Sequence, residues 1–192
     1  MASKITIADI YDAKQQGRKI AAVSCYDYTT ASLIAQTDTD MILVGDSAAM
    51  LLLGHDSTLP ATMDFMVTIT AAVRRGAPNK FLVADMPFLS YQTSVSDAIK
   101  NAGRFAVEAG AQMIKIEVTS AHLDVIKAVS DAGLAVMAHI GIKPQMISKV
   151  GRFKARLLLR RWHWSLLAWR ISLWLTGPPR FCWKGPRRRL PR

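Results

Sequence analysis

Short apolar runs alternate with longer amphipathic stretches through the first 150 residues. Each run is apolar on both faces, which is typical of strands buried on both sides of a sheet. The amphipathic stretches predict helices, with Thr62, Ser94 or Ser96, and Ser120 as N-caps and with glycines near their ends. The five runs are IAAVSC (20–25), MILV (41–44), FLVA (81–84), MIKI (113–116) and VMAHI (136–140).

Strands that alternate with helices predict an α/β fold with a parallel sheet and right-handed crossovers. Two architectures fit five strand–helix units in this length. One is an open, doubly wound sheet. The other is the first five units of an eight-unit barrel, which needs about 250 residues. The chain has no GxGxxG after its first strand and no GxxxxGK[ST] motif, which disfavours a dinucleotide-binding or P-loop protein.

One connection is long for a compact domain. Between Val44 and Phe81 lie 36 residues, of which only 62–75 are predicted to be helical. Loops longer than about 12 residues are commonly functional. We expect residues 46–61 to form a substrate lid or a subunit contact.

Polar residues stand at or just after the ends of four predicted strands. They are Asp46, Ser47, Asp85, Lys115, Glu117 and His139. The carboxyl ends of parallel strands open on one face of the sheet, where ligands bind in such folds. We therefore expect these side chains to lie close together.

Three carboxylates in one place repel one another unless a cation lies among them. Mg²⁺ prefers oxygen ligands and takes one or two carboxylates directly. Asp46 and Asp85 are predicted as direct ligands, and Glu117 as a ligand directly or through water. Lys115 would meet an anionic substrate. Read singly, each residue also has an ordinary structural interpretation, such as a loop aspartate or a hydrogen-bonded His139.

The charge of +11 is distributed unevenly along the chain. Residues 1–154 hold all 14 acids and 15 of the 25 bases, whereas residues 155–192 hold ten bases, no acid and all five tryptophans. The chain is thus predicted to be a near-neutral body, 1–154, with a basic, Trp-rich tail, 155–192, that is not a domain. The overall charge does not by itself indicate a nucleic-acid-binding protein.

The chain has two cysteines, Cys25 and Cys182, and no secretory leader pattern. Two cysteines cannot form a disulfide framework, and there is no Cys/His cluster of the kind that binds zinc. We expect a cytoplasmic protein.

Seven strings of residues resemble the ketopantoate hydroxymethyltransferase family, and together they run through residues 20–154. LVGDS, GHDSTLP and RRGAP in this order are highly specific, although each alone would be weak. The strings are CYDYTTA (25–31), LVGDSAAM (43–50), GHDSTLP (54–60), AAVRRGAPN (71–79), ADMPFLSY (84–91), MIKIE (113–117) and HIGIKPQ (139–145).

The resemblance implies a (β/α)₈ TIM barrel, of which this chain would hold about the first five units. It also implies hydroxymethyl transfer from 5,10-methylenetetrahydrofolate to 3-methyl-2-oxobutanoate with Mg²⁺. The metal would be held by Asp46, Asp85 and Glu117, and the 2-oxo acid by Asp46, Ser47, Asp85, Lys115 and His139. The family forms homodecamers, so a homo-oligomer is expected, with neither a nucleic-acid nor a membrane partner.

The resemblance stops near Lys154. The family's general base is a glutamate at the end of the sixth strand, and the tail contains no Asp or Glu, so no residue is predicted to be catalytic in that role. We interpret the break as a change of reading frame and expect little turnover. Two alternatives stay open: a Mg²⁺-dependent lyase of the phosphoenolpyruvate-mutase type, or a non-catalytic fragment whose basic tail binds membranes or nucleic acid.

Overall fold

The computed structural model describes residues 3–151, which form a five-stranded parallel sheet with helices between the strands. The strands lie in chain order, so each is hydrogen-bonded to the next along the sequence. They are β1 Ala22–Ser24, β2 Met41–Val44, β3 Phe81–Asp85, β4 Met113–Glu117 and β5 Val136–His139. All five predicted strands are confirmed, and so is the α/β class.

Two helices begin where the sequence predicts caps, at Thr62 and Ser94. The prediction of Ser120 as a cap is wrong, because Ser120 lies inside a 3₁₀ turn, Ser120–His122, whose N-cap is Thr119, and the next helix begins at Leu123. The hydroxyl oxygen of Thr62 accepts a hydrogen bond from the Phe65 amide, and that of Ser94 accepts one from the Asp97 amide. These contacts satisfy amides that have no partner inside the helix. The helices are α1 Ile7–Gln15, α2 Tyr28–Ile34, α3 Ala48–Leu53, α4 Met63–Gly76, α5 Val95–Val107, α6 Leu123–Asp131 and α7 Ile147–Val150.

Alternate strand residues pack on opposite faces of the sheet. On one face, buried residues such as Ile42, Leu82 and Ile114 join the cluster formed with the helices. On the other face, a smaller cluster is sealed by Ile10 of α1. Both faces of the sheet are therefore largely apolar, as the runs predict, and Lys115 in the middle of β4 is a buried polar exception.

Two expectations need correction. The connection after β2 is not all loop, because Ala48–Leu53 forms α3. The first run is not buried on both sides, because all three residues of β1 are exposed. Within residues 3–151, β1 pairs only with β2, so it lies at an edge of the sheet.

The predicted tail, 155–192, lies outside the described residues, and so do the interpretations that depend on it. Within residues 3–151, no helix combines the length and the apolar character needed to cross a bilayer.

Candidate active site

The sheet register brings the predicted polar residues to one end of the molecule. Asp85 of β3 is aligned with Lys115 of β4, and Glu117 of β4 is aligned with His139 of β5. Asp46 follows β2, the neighbour of β3. We call this end of the sheet, defined by Asp46, Asp85, Lys115 and Glu117, the mouth.

Asp85 and Lys115 form a buried ion pair at the centre of the mouth. The Lys115 ammonium donates to Oδ2 of Asp85, and the amide of Asp46 lies 3.4 Å from the same oxygen. The other oxygen, Oδ1, is buried and has no hydrogen-bond partner among the described residues. A buried carboxylate oxygen without a partner is costly, so a donor or a cation is required there.

The charge around Asp85 is unbalanced. Burial raises the pKa of Asp85 to about 6; Lys115 opposes this rise, and the nearby Asp46 and Glu117 carboxylates add to it. Three acids therefore share one buried lysine. This excess of negative charge is what a bound cation would relieve.

Glu117 and His139 form a second contact across β4 and β5. Nδ1 of His139 lies 3.5 Å from Oε1 of Glu117, and the amide of Gln145 donates to Oε2 of Glu117 over 3.2 Å. Glu117 is 3% exposed, so its charge interacts strongly with these neighbours.

Ser47 is positioned by Tyr26 from the loop after β1. The two hydroxyl oxygens are 2.8 Å apart. A Cβ atom at Gly45 would lie 3.1 Å from Oγ of Ser47, which is a tight contact, so a larger residue there would crowd this hydroxyl. The hydroxyl of Ser47 thus bonds to Tyr26 and not to the acids.

The structure therefore joins most of the predicted site residues directly. Asp46, Asp85 and Lys115 are linked through Oδ2 of Asp85, and Glu117 contacts His139. Ser47 is adjacent to Asp46 in sequence but has a different partner.

Two residues of the mouth were missed by the sequence analysis. Gln145 bridges Asp46 and Glu117, and the hydroxyl of Tyr91 lies 2.8 Å from the Gln145 side chain. Both belong to quoted strings, HIGIKPQ and ADMPFLSY. These residues could have been found because each is a polar side chain within a string that carries the family resemblance, shortly after the end of a strand.

The donors at the mouth fit Mg²⁺. Asp46 and Asp85 provide carboxylate oxygens, and Oδ1 of Asp85 is free of hydrogen bonds from residues 3–151. No three acidic, histidine or cysteine side chains within that range are grouped as a ready-made metal site. Mg²⁺ does not require such a group, since it takes one or two carboxylates and fills its other positions with water and substrate. The assignment of Asp46, Asp85 and Glu117 as metal ligands stays a prediction.

The five parallel strands lie in chain order without a reversal, as in the (β/α)-barrel class, whereas a doubly wound sheet reverses its strand order at a switch point. Solved barrel structures agree: 2,3-dimethylmalate lyase, a PEP mutase/isocitrate lyase superfamily member, has a TM-score of 0.58 at 14% identity over 77% of this chain and 56% of its own. Phosphonopyruvate hydrolase in complex with oxalate and Mg²⁺ has a TM-score of 0.62 at 15% identity, over 93% and 71% of the two chains. At these identities the likeness shows the fold alone.

The sequence comparison is more specific. The sequence model of the ketopantoate hydroxymethyltransferase family matches residues 4–161, and the chain belongs to this family. The 3-methyl-2-oxobutanoate hydroxymethyltransferase of Geobacillus kaustophilus is 47% identical over 148 residues, which are 77% of this chain and 53% of the relative. That of Heliobacterium modesticaldum is 44% identical over 156 residues, 81% and 56% of the two chains. The chain thus spans about half the length of these curated relatives.

Proposed function

We propose that this chain carries the 2-oxo-acid and metal-binding part of a 3-methyl-2-oxobutanoate hydroxymethyltransferase. The reaction transfers a hydroxymethyl group from 5,10-methylenetetrahydrofolate to 3-methyl-2-oxobutanoate and yields 2-dehydropantoate for pantothenate and coenzyme A biosynthesis. The observation that carries the proposal is the buried Asp85–Lys115 pair beside Asp46, at the mouth of a sheet from this family.

The acids supply the metal site in this proposal. Asp46 and Asp85 hold Mg²⁺, and Glu117 completes or supports the site. When bound, Mg²⁺ polarises the keto group of the substrate and stabilises the charge that develops when a proton leaves the neighbouring carbon.

Lys115 binds the substrate carboxylate. Burial lowers the pKa of Lys115, but Asp85, Asp46 and Glu117 raise it by more, so the net shift is upward and the ammonium stays charged. A charge held in a buried site interacts more strongly with an anion than one in water. Ser47 and His139 line the same pocket in the proposal, and 5,10-methylenetetrahydrofolate is the second substrate.

The proton on C3 of the substrate needs a general base. In the family this is the glutamate of the sixth strand, and no Asp or Glu follows Asp131 in this chain. We therefore propose that the chain binds the 2-oxo acid but turns it over poorly.

The test uses the full chain with Mg²⁺ and 3-methyl-2-oxobutanoate in D₂O, with the Geobacillus kaustophilus relative as the positive control. Calorimetry measures substrate binding, NMR follows exchange of the C3 hydrogen, and an assay with 5,10-methylenetetrahydrofolate measures turnover. We expect binding with little exchange and little turnover, and loss of binding in Asp85→Asn. Absence of binding would overturn the proposal, and turnover within tenfold of the relative would overturn its second part.

We also propose a cytoplasmic homo-oligomer. The apolar side chains of Met50–Leu53 on α3 are 38–67% exposed, which is unusual for a free surface. Light scattering after size-exclusion chromatography tests this, and a monomer would contradict it. We do not propose the phosphoenolpyruvate-mutase type of lyase, because its likeness to this chain concerns the fold, whereas relatives at 44–47% identity carry the transferase name.

A further inference from the structure

Gln145 lies buried in the short 3₁₀ turn Pro144–Met146 that follows β5, and its side chain reaches into the mouth. Only 3% of the residue is exposed. A buried amide must find its hydrogen bonds inside the protein, because no water replaces them. The hydrogen-bond partners of Gln145 therefore show which groups it holds in place.

Both N–H groups of the Gln145 side-chain amide donate hydrogen bonds, and its oxygen faces donors from two other residues. Nε2 donates to Oδ2 of Asp46 over 2.9 Å and to the carbonyl oxygen of Met86 over 2.8 Å. Oε1 lies 2.8 Å from the hydroxyl of Tyr91 and 3.3 Å from Nε2 of Gln92. The Tyr91 hydroxyl shares its single proton between Gln145 and the carbonyl oxygen of Glu117, 2.9 Å away.

This arrangement has one chemically acceptable orientation. If the amide were turned over, Oε1 would face the Asp46 carboxylate and the Met86 carbonyl, both of which are acceptors. The contact with Asp46 is thus a directed, charge-assisted hydrogen bond.

Gln145 also contacts the second acid through its backbone. Its amide donates to Oε2 of Glu117 over 3.2 Å. One residue therefore fixes one oxygen of Asp46 and one oxygen of Glu117. The bond from Nε2 to Oδ2 restricts the rotation of the Asp46 carboxylate, and the remaining lone pairs of that carboxylate are available to a ligand.

We propose that Gln145 is a positioning residue that orients Asp46 for Mg²⁺. This inference rests on the proposed function, since it assumes that the mouth binds the ion. Residues that hydrogen-bond to metal ligands usually change metal affinity by about 10–100-fold when they are removed. Gln145→Met keeps the length of the side chain and removes its hydrogen bonds.

Gln112 provides the matched control. It is also a well-bonded glutamine, with Nε2 donating to the Ile5 carbonyl over 2.7 Å and Oε1 accepting from Arg74 over 2.8 Å. It directly precedes β4, at the end of the strand opposite to the mouth. Gln112→Met should therefore lower stability without changing metal affinity.

The experiment measures Mn²⁺ binding to the full chain by electron paramagnetic resonance, and then displacement of Mn²⁺ by Mg²⁺. We expect Gln145→Met to weaken Mg²⁺ binding by at least about tenfold and Gln112→Met to leave it unchanged. If Gln145→Met does not fold, Tyr91→Phe takes its place, because it removes one hydrogen bond to Oε1 of Gln145. We then expect Mg²⁺ affinity to fall about twofold, near the low end for the loss of one hydrogen bond.

The outcomes separate this inference from the proposed function. Wild-type affinity in Gln145→Met, or in Tyr91→Phe where that variant decides, overturns the inference and leaves the proposed function standing. An equal loss in Gln112→Met also overturns it, because the effect would then be general destabilisation. A wild-type chain that binds neither ion overturns both.

Discussion

The two ends of the sheet each hold a cation and a glutamine, buried at the mouth and partly buried at the opposite end, and the partners of these side chains differ. At the mouth, Lys115 and Gln145 face carboxylates. At the opposite end, which we call the base, Arg74 and Gln112 face carbonyl groups and each other. Comparing the two ends distinguishes a structural cluster from a binding one.

The base is electrically simple. The guanidinium of Arg74 donates to Gln112 over 2.8 Å and to the carbonyl oxygens of Gly110, Ala77, Pro78 and Lys80 over 2.9–3.3 Å. Its acceptors are neutral, and they gather the end of α4 and the starts of β3 and β4 around one side chain. Such a cluster stabilises the fold and has no unmet need for a ligand.

The mouth has a surplus of negative charge instead. Three acids share one buried lysine, and one oxygen of Asp85 has no partner within residues 3–151. An arrangement of this kind costs stability in the absence of a ligand, which is common at functional sites. Buried charged residues occur at the base too, Asp40 and Lys80 among them, so the proposed site rests on the unbalanced charge of the mouth and not on burial alone.

The largest expected effect follows from Lys115→Met. This change leaves Asp85 buried without its cation, and breaking a buried pair costs about 3–5 kcal/mol. We expect a loss of that size in urea unfolding, together with loss of 2-oxo-acid binding. Lys127→Met is the control, because the Lys127–Asp131 pair is exposed, with side chains 62% and 57% accessible, and should change stability by less than about 1 kcal/mol. Equal losses in the two variants would contradict the importance of the mouth pair.

At the base, Arg74→Lys should lower stability without affecting the mouth. Lysine has three donors on one nitrogen and cannot reach the spread of acceptors that a guanidinium serves. Leaving partly buried carbonyls unpaired should cost about 1–3 kcal/mol in urea unfolding. Mg²⁺ affinity of the folded variant should equal that of the wild type. A parallel loss of affinity would show that the two ends are coupled and would remove the basis of the comparison.

Most of the framework could be predicted from the sequence because strand and helix signals are local. The five apolar runs and the caps at Thr62 and Ser94 depend only on neighbouring residues. The mouth was also predictable, since parallel strands bring their carboxyl ends to one edge. Asp85 and Lys115 are paired in the register that this rule requires.

The rest depended on contacts between distant segments. Gln145 reaches Asp46 across 99 positions of sequence, and no local pattern encodes that contact. The exposure of β1 depends on its neighbours in the sheet, which an apolar run cannot reveal. Helix α3 was missed because its six residues, AAMLLL, are too short and too uniformly apolar to show a helical period.

The smallest expected effect is on the pH dependence of metal binding at the mouth. Because burial raises the pKa of Asp85 to about 6, its carboxyl is largely protonated at pH 5 and ionised at pH 7.5. A metal ligand must be ionised, so protons compete with Mg²⁺ on the acid side. One pH unit below a pKa of 6 weakens binding by about tenfold, or about 1.4 kcal/mol. The added stability in Mg²⁺, measured by urea unfolding, should shrink by this amount between pH 7.5 and pH 5.

Without the metal, the contribution of Asp85 to stability changes with pH in the opposite direction. A raised pKa means that the contribution of Asp85 to stability is full below its unfolded value of 3.8 and is lost as the pH rises through about 6. As the pH rises toward about 6, the metal-free chain should thus lose the stability that Asp85 contributes, whereas the stability added by Mg²⁺ should increase. Asp40→Asn is the control: Asp40 is a buried acid at the base, bonded to Arg18 over 2.9 Å, and its removal should leave the Mg²⁺ effect unchanged. An Mg²⁺ effect of equal size at both pH values would show that Asp85 does not bind the ion, and the mouth would then be a structural cluster like the base.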